Sequence, residues 1–508
     1  MEHSNLAKLI SNYGSRLWSM ISVFIFIPLY IRFLGSENYG LIGFYALLLG
    51  IISFADSGMS SAIIKEFSQE HTSNYKYSVF RHLEKYYVLV CVVICIIIFF
   101  SSSFIVDHWI TAKGISRGNL IYYVRLIGFG VTTQLISSLY FGALFALNNQ
   151  IKSNILQLLW SFSKSALVIF LFIIFSKSIE LYFIWQLVCN VTYVLILRLF
   201  IIKKLKRDSG IQMLRTEFNK LPLHITKYIG GMIFIAIISA INIQADKLIT
   251  SSMFDLSTFG FYNIASSLSQ IPVILATPLA AFVFPLFSKY SNSQIKNYNK
   301  LTLIVFNKVF YLINLLVILA TIVILFYTKE ILLLWTKKTI PDYLLNTIAF
   351  DAKILILGSL FLALQFPLYY LLLSKGKTKY TIYQGVIQLF IGLPLLFFFS
   401  NKYGLRGVPI PWLLINFASL VYLFYIVSKF YLKFNTHSFY KNILIGPIFI
   451  TVVINSIIYL CYKYSEFNFI PYIILASLLS LTGSVLLFNK VERRGLLSYK
   501  HLYNFPNE

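Results

Sequence analysis

The sequence predicts an all-α integral membrane protein with about fourteen transmembrane helices. Three observations predict it. The 508 residues are 58% hydrophobic and only 12% charged, with a mean hydropathy of +0.77. Soluble domains are nearer half apolar and a quarter charged, so a soluble chain of this composition would have too little polar surface to face water. Apolar runs of the ~20 residues that a helix needs to cross a bilayer recur along the whole chain. Basic residues sit in the short gaps between those runs, far more of them in alternate gaps.

In chain order the runs are 10–34, 40–64, 86–106, 119–147, 153–175, 179–202, 225–249, 259–288, 301–327, 346–374, 379–400, 404–428, 441–462 and 469–488. The first is a span and not a cleaved signal, because its apolar core is long and no small-residue cleavage site follows it. Runs of this length suit helices and are too long for barrel strands. Pro28, Pro272, Pro278, Pro285, Pro367 and Pro394 fall inside spans and mark bendable points. Three of them are in the eighth run, where a kink or a moving gate is expected.

With the N-terminus inside, cytoplasmic gaps hold roughly 25 Lys and Arg against 9 outside, which places both termini in the cytoplasm. The longest gap, 203–220, follows the sixth run. It divides the chain into six spans, six spans and two. "YGLIGFYALL" (39–48) and "FGFYNIASSL" (259–268) occupy matching places in the two sixes, as do "LYFGALFALNNQIKSNILQ" and "LYYLLLSKGKTKYTIYQ". The expected organisation is a first six-helix bundle over 1–204, a cytoplasmic linker with a second six-helix bundle over 205–434, and a C-terminal helix pair with a tail over 435–508. The halves are parallel repeats.

Several function classes are excluded. The net charge of +25 belongs to topology and anionic lipid rather than to nucleic acid, because the basic residues are confined to gaps and no basic aromatic patch is present. Cys91, Cys95, Cys189 and Cys461 form no CxxC pair, and the histidines are scattered, so no metal or redox site is expected. "GKT" at 376–378 lacks the upstream glycine of a phosphate loop, the position being Leu371, so no nucleotide cofactor is implied. No sugar-nucleotide DxD, no GxSxG and no large outer loop argue for an enzyme.

Charges inside spans carry the remaining signal, because an ionisable group at mid-depth costs about 2.5–3.5 kcal/mol on insertion scales. Lys164 is near mid-depth of its run, too deep to snorkel, and reads either as a cation lining a polar cavity or as a paired structural lysine. Arg16 and Arg125 are one or two turns from a span end, where cavity and snorkelling readings both stand. Lys308, Lys353 and Arg198 lie nearer span ends and read as anchors. Asp246 and Lys247 point about 100° apart on their helix, so each needs its own partner or water. Asp56 is in the inner half of the second span, with Gly58 directly after it; it is either a coupling carboxylate or a structural acceptor. Gln134, Asn190, Asn242, Gln244, Asn263 and Gln270 supply uncharged polar groups for sugar hydroxyls or for other helices.

"PLYIRFLGSENYGLIGFYALLLGIISFADSGMSSAIIKEF" (28–67) resembles the opening of bacterial polysaccharide flippases of the Wzx type. The matching positions are Pro28, Leu34, Gly35, Glu37, Tyr39, Gly40, Asp56, Gly58, Met59 and Lys65, the last often Arg in that family. "ADKLITSSMFDLSTFGFYNIASSL" and "FPLFSKY" resemble its second half, and the likeness extends over about 1–430. The resemblance implies the multidrug/oligosaccharidyl-lipid/polysaccharide exporter superfamily and a MATE-like pair of six-helix bundles around a central cavity. The implied cargo is an undecaprenyl-diphosphate-linked oligosaccharide, moved from the inner to the outer leaflet for O-antigen, capsule or another surface glycan. For that cargo, Arg16, Arg125, Lys164 and Lys247 are the candidate substrate-binding cations, suited to a diphosphate or an acidic sugar. Asp56 and Asp246 are the coupling or gating candidates, with a proton or sodium as the coupling ion. A polysaccharide polymerase and a chain-length regulator are the implied protein partners. A drug exporter of the same superfamily and a membrane glycan polymerase or ligase are the alternative readings.

Overall fold

The computed structural model describes residues 18, 21–147, 149–209, 221–290, 298–432, 445–465 and 468–493. Among them the chain is helical throughout, with one isolated bridge pairing Thr111 and Asp255. Eleven helices are long and apolar enough to cross a membrane, and a bent helix brings the number to twelve. In order the helices are α1 (Ile21–Leu34), α2 (Ser36–Ser68), α3 (Ser73–His108), α4 (Arg117–Ala146), α5 (Gln150–Ile174), α6 (Ile179–Asp208), α7 (Leu223–Met253) and α8 (Leu256–Ser269). Then follow α9 (Ile271–Tyr290), α10 (Thr302–Phe326), α11 (Thr328–Trp335), α12 (Asp342–Ser374), α13 (Lys379–Tyr403), α14 (Ile410–Ile426), α15 (Gly446–Lys463) and α16 (Phe469–Arg493).

The helix ends have local causes. Thr72, Ser116 and Ser178 each accept a hydrogen bond from the backbone N–H three residues on, capping α3, α4 and α6. Gly35, at a φ of 84°, makes the one-residue turn between α1 and α2, a conformation that other residues resist. The eighth apolar run is broken at Gln270, directly before Ile271 and Pro272. Pro272 has no N–H to carry the ladder on, and it falls in the first turn of a helix, where proline is tolerated, so α8 stops there and α9 starts afresh. The short helix α11 falls in a stretch expected to be an outer gap.

By packing the chain divides into two units, Met1–Asn263 and Ile264–Glu508. This grouping follows contact, whereas the expected 1–204, 205–434 and 435–508 division rests on the sequence repeat alone. In the first unit Phe80, Leu83, Tyr87, Leu139, Leu144, Leu197 and Ile201 form a core shared by α3, α4 and α6. In the second, Phe287, Phe306, Phe310, Leu364, Leu368 and Leu423 do the same for α9, α10, α12 and α14. The C-terminal pair rests on α10 through the packing of Leu319, Val323 and Tyr327 against Tyr459, Tyr462 and Tyr472, and Tyr311 donates to the carbonyl of Ser484. Much apolar surface lies outside these cores. The most apolar window of α3 has a hydropathy of 3.0 yet is only 17% buried, and Val92, Ile96, Phe100 and Phe104 face outward. An exposed apolar face of that extent needs hydrocarbon around it.

The seam that organises the first unit runs between α2 and α7–α8. A side chain at Gly40 would lie 2.0 Å from the carbonyl oxygen of Leu256, one at Gly43 would meet Asn263, and one at Gly50 would meet Gln244. The α3–α4 connection completes this corner. Leu256 donates its N–H to Thr111, Trp109 Nε1 donates to Ser251, and Lys113 pairs with Asp255 at 2.9 Å. Glu37 accepts the backbone N–H groups of Lys113 and Gly114. At the far end of α2, the buried Glu66 accepts from Tyr75 and lies 3.4 Å from His224 at the start of α7.

Gly40→Ala is therefore expected to lower the melting temperature in detergent, at a cost of about 1–3 kcal/mol, because backbone rather than a flexible side chain blocks the new methyl. Gly118→Ala, which would meet nothing within 4 Å, is the control and should be neutral or mildly stabilising. The corner also carries a pH dependence. Burial opposes the charge on Asp255, but hydrogen bonds from Thr258 and Lys113 outweigh it and hold the carboxyl below its ordinary value. A depressed carboxyl stabilises above its unfolded pKa and loses that contribution as pH falls through the folded one. Acid should loosen this corner in melts scanned downward from neutral pH, and Asp255→Asn should flatten that part of the profile.

Candidate polar site in the first unit

The polar interior of the first unit is built around Lys164. The α5 ladder slips into a π-helical stretch over Ser163–Leu167, which holds the lysine. Such bulges free backbone carbonyls, and here side chains of neighbouring helices take them. Trp185 donates to the carbonyl of Ser163, Gln186 to that of Lys164 and Tyr30 to that of Ser165. Donors from α6 and α1 thus hold the bulge and fix where the lysine leaves the backbone.

The Lys164 ammonium donates to Gln134 Oε1 at 2.6 Å, and Tyr45 donates to the same oxygen at 2.7 Å. The cation lies 4.6 Å from the centre of the Trp160 ring and 5.8 Å from that of Tyr45. Trp160 stacks on Tyr193 and donates to Asn190, which donates in turn to the carbonyl of Gly130. Among the described residues no carboxylate is within ion-pair distance of Lys164. An ammonium has three donors and this one spends a single donor on Gln134, so two remain for an anionic or hydroxylic guest. The aromatic faces supply attraction without neutralising the charge.

The other predicted residues do not gather at this point. Arg125 turns to α3, donating to Ser102 at 3.1 Å with its guanidinium 4.3 Å from the Phe99 ring centre. Asp246 accepts from Tyr262 at 2.8 Å. Lys247, half-buried beside it, has no hydrogen bond or ion pair among the described residues. Arg16 lies outside the described residues.

Asp56 is at the one sharp bend of α2, where Ser36–Ser53 and Gly58–Ser68 meet at 55°. Ser60 and Ser138 both donate to it, the latter at 2.6 Å, and Tyr87 reaches both Ser138 and the carbonyl of Leu135. No cation touches it among the described residues. Ser53 bonds back to the carbonyl of Gly50 one turn earlier, a pattern that bends helices.

Sequence reasoning missed two carboxylates. Glu84 is buried and accepts from Arg198 at 2.6 Å, Arg81 at 3.0 Å and Tyr140 at 2.7 Å. It makes Arg198 a structural partner rather than a free anchor. Its position just before an apolar run made it look like a solvated helix end. Asp351 on α12 is fully buried and was visible as a carboxylate a few residues inside a run. Replacing Glu84 by Ala should cost about 3–5 kcal/mol, because it strands a cation, while Glu84→Ala with Arg198→Met should recover much of the loss. Melting temperature and the yield of folded protein measure both.

Comparison with known proteins agrees with this architecture. The family model of polysaccharide biosynthesis proteins matches residues 6–291, and the chain belongs to that family. A Shigella flexneri protein named "Putative O-antigen transporter" is 22% identical over 389 residues, covering 75% of this chain and 87% of that protein. The solved structure of the lipid II flippase MurJ in an inward closed conformation superposes with a TM-score of 0.72 at 17% identity, over 97% of this chain and 100% of that one. An inward-facing multidrug resistance MATE family transporter of the MOP superfamily gives 0.61 at 14% identity, covering 81% and 93%. The chain is thus an all-helical, multi-pass membrane protein with a MurJ- and MATE-like fold.

Proposed function

We propose that this member of the polysaccharide biosynthesis family is a flippase for lipid-linked oligosaccharide repeat units. It carries an undecaprenyl-diphosphate-linked unit from the inner to the outer leaflet of a bacterial cytoplasmic membrane by alternating access, with both chain termini in the cytoplasm. The observation that carries this reading is the unneutralised ammonium of Lys164, held inside a membrane bundle with two donors to spare. A diphosphate cannot cross hydrocarbon with its charge unmatched. A buried cation with no carboxylate of its own can replace its lost hydration, and the amide and aromatic groups around it suit sugar hydroxyls and faces. The relative described as an O-antigen transporter supports the same cargo class. Because α2 meets α7–α8 near Gly40 and α7 near Glu66, that seam is where a cycle of opening and closing would act.

Deletion of the gene should trap lipid-linked repeat units on the cytoplasmic face and abolish the surface polymer. Lys164→Ala at normal protein level should cut delivery of repeat units by roughly tenfold or more, the value of one charge-assisted hydrogen bond. Surface polymer that persists without the protein or any paralogue, or an alanine variant with full delivery, would sink the reading. Normal translocation with unpolymerised units would point to a polymerase instead.

A further inference from the structure

Asp351 is on α12, one helical turn beyond Thr347. It is 0% exposed, and neither carboxylate oxygen has a hydrogen-bond partner. Other acids within the helices differ. Asp56 has two serine donors, Asp246 has Tyr262, and Glu84 has two arginines and a tyrosine. An ionised carboxylate buried with no donor loses its hydration and receives nothing in exchange, so such a group takes up a proton instead. No group of three acidic, histidine or cysteine side chains gathers among the described residues.

The surroundings supply a second state. Arg406, in the short turn Gly404–Gly407, is exposed and donates to Thr347 Oγ1 at 3.3 Å. That bond brings it within one helical turn of Asp351, yet the two make no ion pair. The other charged groups on described parts of helices packed against α12 are Lys308, Lys329, Glu330, Lys379 and Lys402, with Asp342 and Lys353 on α12 itself; none of these hydrogen-bonds or pairs with Asp351. On the same seam between α12 and α14, Ser359 Oγ and Trp412 Nε1 are also buried and unpartnered. Trp412 is pressed onto α12 at Gly358, where a side chain would lie 2.3 Å from its ring. Ser359 and Trp412 both lie two turns along α12 from Asp351, so the donor placed to reach the carboxylate after a small movement is Arg406, held at Thr347 one turn away.

We propose that Asp351 is a proton-binding site of the second unit, occupied in this conformation and exchanging with water on the side where Arg406 is exposed. Uptake is the addition of one proton from hydronium to one carboxylate oxygen, giving the neutral acid and water. Release leaves a carboxylate that Arg406 neutralises once the seam between α12 and α14 has moved. The proposal does not depend on the identity of the cargo.

The test is infrared difference spectroscopy on the full chain in lipid nanodiscs, stepped in pH at constant sodium. A buried carboxylic-acid carbonyl band should be present at neutral pH and disappear on alkaline titration. It should be missing in Asp351→Asn and retained in Asp56→Asn. Arg406→Gln, which leaves Asp351 in place, should move the midpoint to higher pH by about one unit, because the ionised form loses its neutralising charge. A band unchanged in Asp351→Asn would overturn the proposal, as would a band that follows sodium rather than pH. If Asp351→Asn does not fold, the Arg406→Gln titration decides, and an unmoved midpoint counts against the site.

Discussion

The approach of α2 to the corner between α7 and α8 is the constraint on which the first unit depends. At Gly40 two backbones meet with no room for a methyl group, and everything else at the corner follows from that distance. Leu256 can reach Thr111 only because α2 lets it in. Glu37, one turn before Gly40, then stands where it can collect two N–H groups from the α3–α4 connection. Gly114 needs the same absence of a side chain, because a Cβ there would lie 2.6 Å from the Glu37 carboxylate. The glycines and the glutamate of the 28–67 opening are thus one mechanical part. It joins α2 to the α3–α4 connection and to the start of α8.

Charge is arranged by the cost of dehydration. Cations and acids near helix ends pair off: Arg198 and Arg81 with Glu84, Arg117 with Asp107, Lys204 with Asp208 and Lys113 with Asp255. The exposed pairs contribute little to stability, and their value is positional. Lys164 and Asp351 break the pattern in opposite senses, one a cation with a neutral acceptor and the other an acid with no donor. Proteins do not retain such groups for stability, since apolar residues of similar size pack better. Their place within membrane helices is what the proposals for cargo and for proton rest on.

The fold was largely legible from sequence because bilayer thickness imposes a period that composition cannot hide. Among the described residues each predicted apolar run falls on helix, and the proline-rich eighth run is interrupted just ahead of Pro272. The candidate site was legible only in part. Lys164 stood out because depth along a run can be counted. The π-helical bulge that aims it could not be read, since it depends on Trp185, Gln186 and Tyr30 arriving from other helices. Asp56 was visible as a charge, yet its two serine donors and the bend beneath it belong to tertiary contact. Glu84 and Arg198, 114 positions apart, gave no sign that they were partners.

Sequence by itself therefore determined the class, the succession of spans and which charges were costly, because these follow from one-dimensional hydropathy and from the price of burying an ion. Only the tertiary structure decided which of those charges are paired and which are left open. Pairing is a relation between helices that the chain brings together, and spacing along one helix does not encode it.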